Sequence, residues 1–224
     1  MRDQECRGKV VLHSSAAFKN GNVVIISGDK GAGKSTILLE LVEHCGYQIL
    51  SGDKVLVTLN SQGRPVASGW PDYPHLGYST IRKYEGLSEI ARLEKDYVPA
   101  PDHEFSPYGK TAVDPLSFRS RFPDAPVGTA APVQAIFFPR IGPGVETEFK
   151  QINPGSEGEV LLALQGFQES MFSENRALWH HYFKSGPDLT TPSNSEIMLG
   201  LARMPVWTIT GPGDVAIVPW EIQV

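Results

Sequence analysis

Val23-Val24-Ile25-Ile26-Ser27-Gly28-Asp29-Lys30-Gly31-Ala32-Gly33-Lys34-Ser35 is the stretch on which the reading of this chain turns. Residues 23–27, four aliphatic side chains and a serine, make a short apolar run, the pattern of a strand covered on both faces. Residues 28–35 fit G-x-x-x-x-G-K-[ST], the phosphate-binding loop. Beyond the loop, Ile37, Leu38, Leu41, Val42 and Cys45 recur at helical spacing and Gly46 stands where a C-cap belongs. Strand, glycine loop and amphipathic helix therefore follow one another as the motif requires. Each part has a physical task. Glycines let backbone N–H groups turn toward phosphate oxygens, and the helix start adds its partial positive charge. Lys34 reaches the outer phosphates, Ser35 joins a Mg²⁺ shell, and Thr36 follows on the first turn. The bland alternative is a glycine-rich turn with a surface lysine.

Upstream, residues 9–18 are β-rich, and Lys19-Asn20-Gly21-Asn22 carries the Asn-Gly pair of a tight hairpin. Downstream, residues 47–51 form another apolar strand. The unit 23–51 then reads as a βαβ crossover, which makes its two strands parallel. The residues after the second strand fall on the same sheet edge as the glycine loop, and the acid placed there is Asp53. A carboxylate at that edge can hold Mg²⁺ or take the proton of an attacking hydroxyl; the plain alternative is a Gly-Asp turn.

Strands are further expected at 54–59, 65–68, 133–139, 206–210 and 215–218. Helices are expected at 87–95, 157–172, 174–183 and 193–203, the last opened by the capping-box spacing of Ser193 and Glu196. Residues 99–132 are proline-rich with little periodicity and read as a long loop. No repeat or linker divides the sequence, so one domain over 1–224 is expected.

A net charge of −5 gives no general attraction to nucleic acid or anionic lipid, and no apolar run nears the length of a membrane span. Residues 1–6 lack the apolar core of a secretory leader. Cys6 and Cys45 are too few for a disulfide framework or a zinc site, so reduced thiols in a cytoplasm are expected.

His13, the loop 28–35 and Leu50-Ser51-Gly52-Asp53-Lys54-Val55 together resemble the catalytic domain of the HPr kinase/phosphorylase family, whose core is shared with phosphoenolpyruvate carboxykinase. Leu201-Ala202-Arg203-Met204-Pro205-Val206-Trp207 and Ala135-Ile136-Phe137-Phe138-Pro139-Arg140 look like elements of small relatives of that family. The likeness spans most of the chain and is specific over 10–59. It implies an α/β fold with a mixed sheet and a β-hairpin ahead of the phosphate loop. It also implies ATP- and Mg²⁺-dependent phosphorylation of a hydroxyl, with His13 bonding a phosphate or orienting Asp53; members of the family often associate, and whether this chain forms a homo-oligomer stays open. Departures are informative. The family carries two adjacent acids after the second strand; here Gly52 replaces the first, and Asp72 is the candidate for a second carboxylate and metal ligand. The family's separate N-terminal domain and its phosphorylase motif have no counterpart, so a bifunctional regulator is not expected.

Lys110, Arg140 and Arg203 are candidate sources of extra positive charge for a transferring phosphoryl group. Trp70, Tyr73, His75, Tyr78 and Tyr84 are candidates to line an acceptor pocket, with core packing as the plain alternative. His180 and His181 are adjacent on a helical pattern and do not face each other, which argues against a metal site. Three functions follow: a kinase for a small-molecule hydroxyl with Asp53 as base, a kinase for a peptide or protein serine, and a nucleotide-binding regulatory module without transfer.

Overall fold

The computed structural model describes residues 4, 7–70, 72–94, 96–100, 109–169 and 193–212. In chain order these hold β1 (Val10–Lys19), β2 (Asn22–Ser27), α1 (Lys34–Cys45), β3 (Gln48–Ser51), β4 (Lys54–Leu59) and β5 (Pro65–Gly69). Then come β6 (His75–Gly77), α2 (Tyr78–Lys83), α3 (Leu87–Ile90), β7 (Lys110–Ala112), α4 (Pro115–Arg121) and β8 (Ala130–Ile141). The described residues finish with β9 (Glu148–Gln151), α5 (Glu157–Gly166), β10 (Gln168–Glu169), α6 (Asn194–Ala202) and β11 (Val206–Gly211). The fold is mixed α/β, built on a 9-stranded mixed sheet in which β8 runs parallel to β2 and β11 while the other pairings are antiparallel. The expected helix at 174–183, the strand at 215–218, His180, His181 and Cys6 lie outside the described residues.

The hairpin forms as its turn predicts. Asn20 and Gly21 both take positive φ, 50° and 79°, and β1 pairs β2 from Ser14↔Ser27 to Lys19↔Asn22. The other flank of β1 pairs β3, with Ala16 opposite Ser51. Both neighbours run antiparallel to β1, so β2 and β3 are parallel to each other, with the hairpin strand inserted between them. That insertion is the topological fact on which the site depends. The N-terminal part of β1 meets β4 instead, with His13 opposite Lys54.

β2 is covered on both sides, as its apolar run requires. Val24 and Ile26 enter one buried cluster, with Ile37 and Leu41 of α1 and Phe137 of β8. Val23 and Ile25 enter the other, with Leu164 of α5 and Ile197 and Leu201 of α6. Each fully buried aliphatic side chain contributes about 1.5–3 kcal/mol, so this two-sided burial outweighs any local propensity in fixing β2 at the centre. α1 ends at Gly46 (φ 70°), whose N–H donates to the carbonyl of Leu41, and α6 begins with the reciprocal capping box of Ser193 and Glu196.

Three expectations need correction. The span 99–132 is not one irregular loop: it contains β7, α4 and the first residues of β8. α4 is a short helix set by its ends, with the Asp114 carboxylate accepting from the Ser117 N–H at 2.8 Å and Pro115 in the first turn. β8 starts earlier because Pro132 sits on an antiparallel pairing with β5, where its missing N–H is tolerated near the end of the ladder. The helix expected at 157–172 stops at Gly166; residues 168 and 169 cross over to pair β1 as β10. The helix expected at 87–95 is a single turn, since Arg92 takes φ 54°.

Candidate functional site

The glycine loop leaves the end of β2 and feeds α1. Gly31 and Gly33 hold φ of 90° and 100°, and a Cβ on Gly33 would stand 2.5 Å from the Ile141 side chain, so this position admits no side chain. The Ile141 N–H donates to the Ala32 carbonyl at 3.0 Å, tying the loop to β8. Asp29, Lys30 and Gly31 form its exposed tip. Lys34 is buried and folds back over the loop: its ammonium donates to the Gly28 carbonyl at 2.7 Å and the Asp29 carbonyl at 3.0 Å. Burial first, then the charge of Lys110, lower its pKa to about 8 against the pull of Asp53 and Asp29. The hydroxyl of Thr36 points the other way, 3.1 Å from that of Thr80 on α2, so only its backbone can serve the loop.

Asp53 lies across β1 from the loop. β2 ends opposite Ser14, β3 ends opposite Ala16, and Gly52-Asp53 follows directly. The Ser15 hydroxyl donates to the Gly52 carbonyl at 2.7 Å and fastens this turn. Around Asp53 the strand register assembles a ring of four charged or titratable side chains. His13 Nε2 is 3.7 Å from Asp53 Oδ1, and Lys54 Nζ is 3.4 Å from Asp53 Oδ2. Behind them, Glu169 Oε1 is 3.2 Å from His13 Nδ1, and Glu169 Oε2 accepts from Lys54 Nζ at 2.7 Å. Cross-strand geometry explains the ring. Lys54 is directly opposite His13, and Glu169 is opposite Val11, which shares His13's face two residues away. Burial pushes the Glu169 carboxyl up, but the hydrogen bonds and charges of Lys54 and His13 together outweigh it and lower its pKa; Lys54 is pushed down by burial, yet Glu169 and Asp53 raise it on balance.

Asp72 comes to the missing acid. A Cβ placed on Gly52 would fall 2.7 Å from Asp72 Oδ2, so the Asp72 carboxylate occupies the volume a side chain at 52 would take. Burial, then Asp53 and Asp124, push its pKa up to about 6. A cavity of about 910 Å³ joins these parts, bordered by Lys30, Ser35, His13, Asp53, Asp72 and Lys110. Arg119 and Asp124, paired at 2.6 Å, also border it. α4 carries Arg119 and is anchored to α1 by the two-pronged Arg121–Glu43 contact at 2.6 and 2.5 Å.

The expected residues divide clearly. Lys30, Ser35, His13, Asp53, Asp72 and Lys110 line one cavity, while the Lys34 ammonium is held against the loop carbonyls of Gly28 and Asp29. Burial first, with Lys30, lowers the pKa of Lys110 although Asp53 raises it. Trp70, Tyr73 and His75 also border the cavity. Tyr78 and Tyr84 do not; both are buried, and the Tyr84 hydroxyl donates to Glu40 at 2.6 Å. Arg140 and Arg203 are exposed and border no part of this cavity. Sequence reading passed over Lys54, Glu169, Arg119 and Asp124. Lys54 had a signal, since it opens a strand beside Asp53. Glu169 had none, because its role depends on a strand of only two residues.

Among the described residues no three His, Cys, Asp or Glu side chains converge to hold a metal unaided. Magnesium does not need such a cage: it takes one or two carboxylates and completes its shell with water and phosphate oxygens. The hard oxygen donors of Ser35, Asp53 and Asp72, which line one cavity, fit that demand, and the desolvated Asp72 carboxyl is a group that gains from a cation.

No protein-family model matches the sequence, and no curated protein does. Among solved structures the chain is similar to the HPr(Ser) kinase/phosphatase from Coxiella burnetii, at 13% identity and a TM-score of 0.34 over 90% of this chain and 85% of that one. That likeness is distant, and the reading of the site rests on the residues just described.

Proposed function

We propose that the chain is an ATP- and Mg²⁺-dependent kinase that phosphorylates a hydroxyl of a small molecule. The observation that carries this reading is that one cavity is lined by Lys30 and Ser35 of the glycine loop and by the carboxylates of Asp53 and Asp72, with loop and Asp53 separated by a single inserted strand. The nucleotide's phosphates lie in the loop, against backbone N–H groups and the Lys34 ammonium. Ser35, Asp53 and Asp72 would hold Mg²⁺, which would offset the negative charge of the phosphates. Asp53 takes the acceptor's hydroxyl proton while that oxygen bonds to the γ-phosphorus and the bond to the bridging oxygen breaks, releasing ADP. Positioning and charge stabilisation supply the rate. A cavity of about 910 Å³ has room for a small acceptor beside the phosphates.

The test is incubation with γ-labelled ATP, Mg²⁺ and a panel of sugars, nucleosides, amino alcohols and serine peptides. Label is expected on a small-molecule hydroxyl; label on the peptides alone overturns the acceptor assignment. Nucleotide binding without transfer to any acceptor leaves a binding module instead.

The state of Lys34 makes a second expectation. Its folded pKa of about 8 lies below the usual 10.5, so above pH 8 the free protein loses this proton. A bound triphosphate favours the charged ammonium, so binding takes up a proton and affinity falls as pH rises beyond 8, by up to about tenfold per pH unit. Calorimetry at pH 9 in buffers of differing ionisation heat checks this. Proton uptake is expected at pH 9 and is expected to fall away at pH 6.5, where Lys34 is already charged in the free protein.

A further inference from the structure

We propose that Glu169 keeps Asp53 available for chemistry by holding Lys54 and His13 back from it, which makes Glu169 a positioning residue of the transfer site. The inference rests on the kinase reading above and adds a residue to it. Four distances carry it. Lys54 Nζ is 2.7 Å from Glu169 and 3.4 Å from Asp53. The His13 ring is 3.2 Å from Glu169 through Nδ1 and 3.7 Å from Asp53 through Nε2. Each nitrogen group thus gives its shorter contact to Glu169 and its longer one to Asp53.

The exposures agree with this division. The Asp53 side chain is 44% exposed and faces the cavity, whereas that of Glu169 is 23% exposed and sits behind. His13 and Asp53 border the cavity; Lys54 and Glu169 do not. The groups facing Glu169 are His13 from β1 and Lys54 from β4, the two elements that meet there.

The chemistry follows from competition. An ammonium shared between two carboxylates attracts each less firmly than one committed to a single partner, because Coulomb energy falls with distance and each contact is lengthened or divided. With Glu169 neutralised, Asp53 is the carboxylate left within reach of both nitrogens. Lys54 and His13 then close on its two oxygens, occupying the lone pairs that a hydroxyl proton or a metal would use. Nothing in this account requires Glu169 to touch a substrate.

The test is Glu169→Gln, an isostere that keeps the shape and removes the charge. Turnover is expected to fall about tenfold, with nucleotide affinity and acceptor KM within about twofold of wild type, the split that separates a transition-state effect from a binding one. Adding Lys54→Met to Glu169→Gln is expected to restore most of the lost turnover, which a merely structural role for Glu169 would not produce. A crystal structure of Glu169→Gln is expected to show Lys54 moved onto Asp53. Wild-type turnover in Glu169→Gln overturns the proposal. So does a double variant no faster than the single one, or a Lys54 that stays at its wild-type distance. If Glu169→Gln does not fold, Glu169→Asp takes its place: the shortened reach predicts a smaller loss, again restored by Lys54→Met. Should the wild type transfer phosphate to no acceptor, the kinase reading falls, and the variant crystal structure alone decides whether Glu169 restrains Lys54.

Discussion

Asp53→Asn is expected to lower phosphoryl transfer by about 10²- to 10⁴-fold while leaving the nucleotide bound, the loss usual for a positioned general base. The asparagine keeps the shape between His13 and Lys54 but cannot take a proton, and it is a poorer metal ligand. The glycine loop lies on the opposite side of β1 and is fastened to β8 through Ile141, so nucleotide affinity depends mainly on parts the substitution does not touch. Lys34→Ala is the matching control, expected to lose nucleotide binding and transfer together. Single-turnover rates and equilibrium titration of the two variants check the separation. Transfer that survives Asp53→Asn but not Lys34→Ala would remove Asp53 from the chemistry and leave only the nucleotide pocket.

Asp72→Asn is expected to make the protein more stable and less active at once. The folded protein holds the Asp72 proton more tightly than the unfolded chain does, with a pKa of about 6 against 3.8. Stability from this group is therefore complete below the unfolded value and lost as pH rises through 6. At pH 7 the ionised, partly desolvated carboxylate costs up to about 3 kcal/mol. An asparagine escapes that cost, so the melting temperature at pH 7.5 should rise by several degrees, at about 2–4 °C per kcal/mol for a chain of this size. The gain should vanish below pH 4, where the wild-type group is already neutral. Calorimetry at both pH values and a transfer assay at saturating Mg²⁺ test the pair of effects. A destabilised variant, or one with undiminished transfer, would show that Asp72 is an ordinary surface carboxylate.

The sequence made the first third of the chain readable because there local rules and global burial agree. The Asn20-Gly21 turn, the apolar run of β2, the spacing of α1 and the cap at Gly46 each point to the element observed. Asp53 was legible from the same logic, since a crossover fixes which sheet edge follows the second strand. The insertion of β1 between β2 and β3 was not. Strand order is set by which apolar faces pair across long separations, and no local signal records that choice. β8 is a similar case: Pro132 reads as a breaker, yet it lies in the ladder opposite Val66 of β5, in the last pair of that ladder. Glu169 was illegible for the strongest reason. A helical pattern ran through it, Gly166 ended the helix early, and two residues of pairing with β1 then turned an apparent surface glutamate toward His13. Asp72 lay between, suggested by a gap in the motif at Gly52 but placed only by the fold.

The strand lodged between β2 and β3 has a mechanical corollary. It works as a spacer, and its alignment with its neighbours is pinned at the far end, where Asn20 and Gly21 bend the chain back. Side chains alternate along a strand, so sliding it by one position would carry His13 to the opposite face and misalign the Ser15 bond that fastens Gly52. Lengthening or stiffening that distant bend should therefore detune the gap between the glycine loop and Asp53 while keeping every residue that borders it, much as a bent hinge spoils the bite of sound pliers.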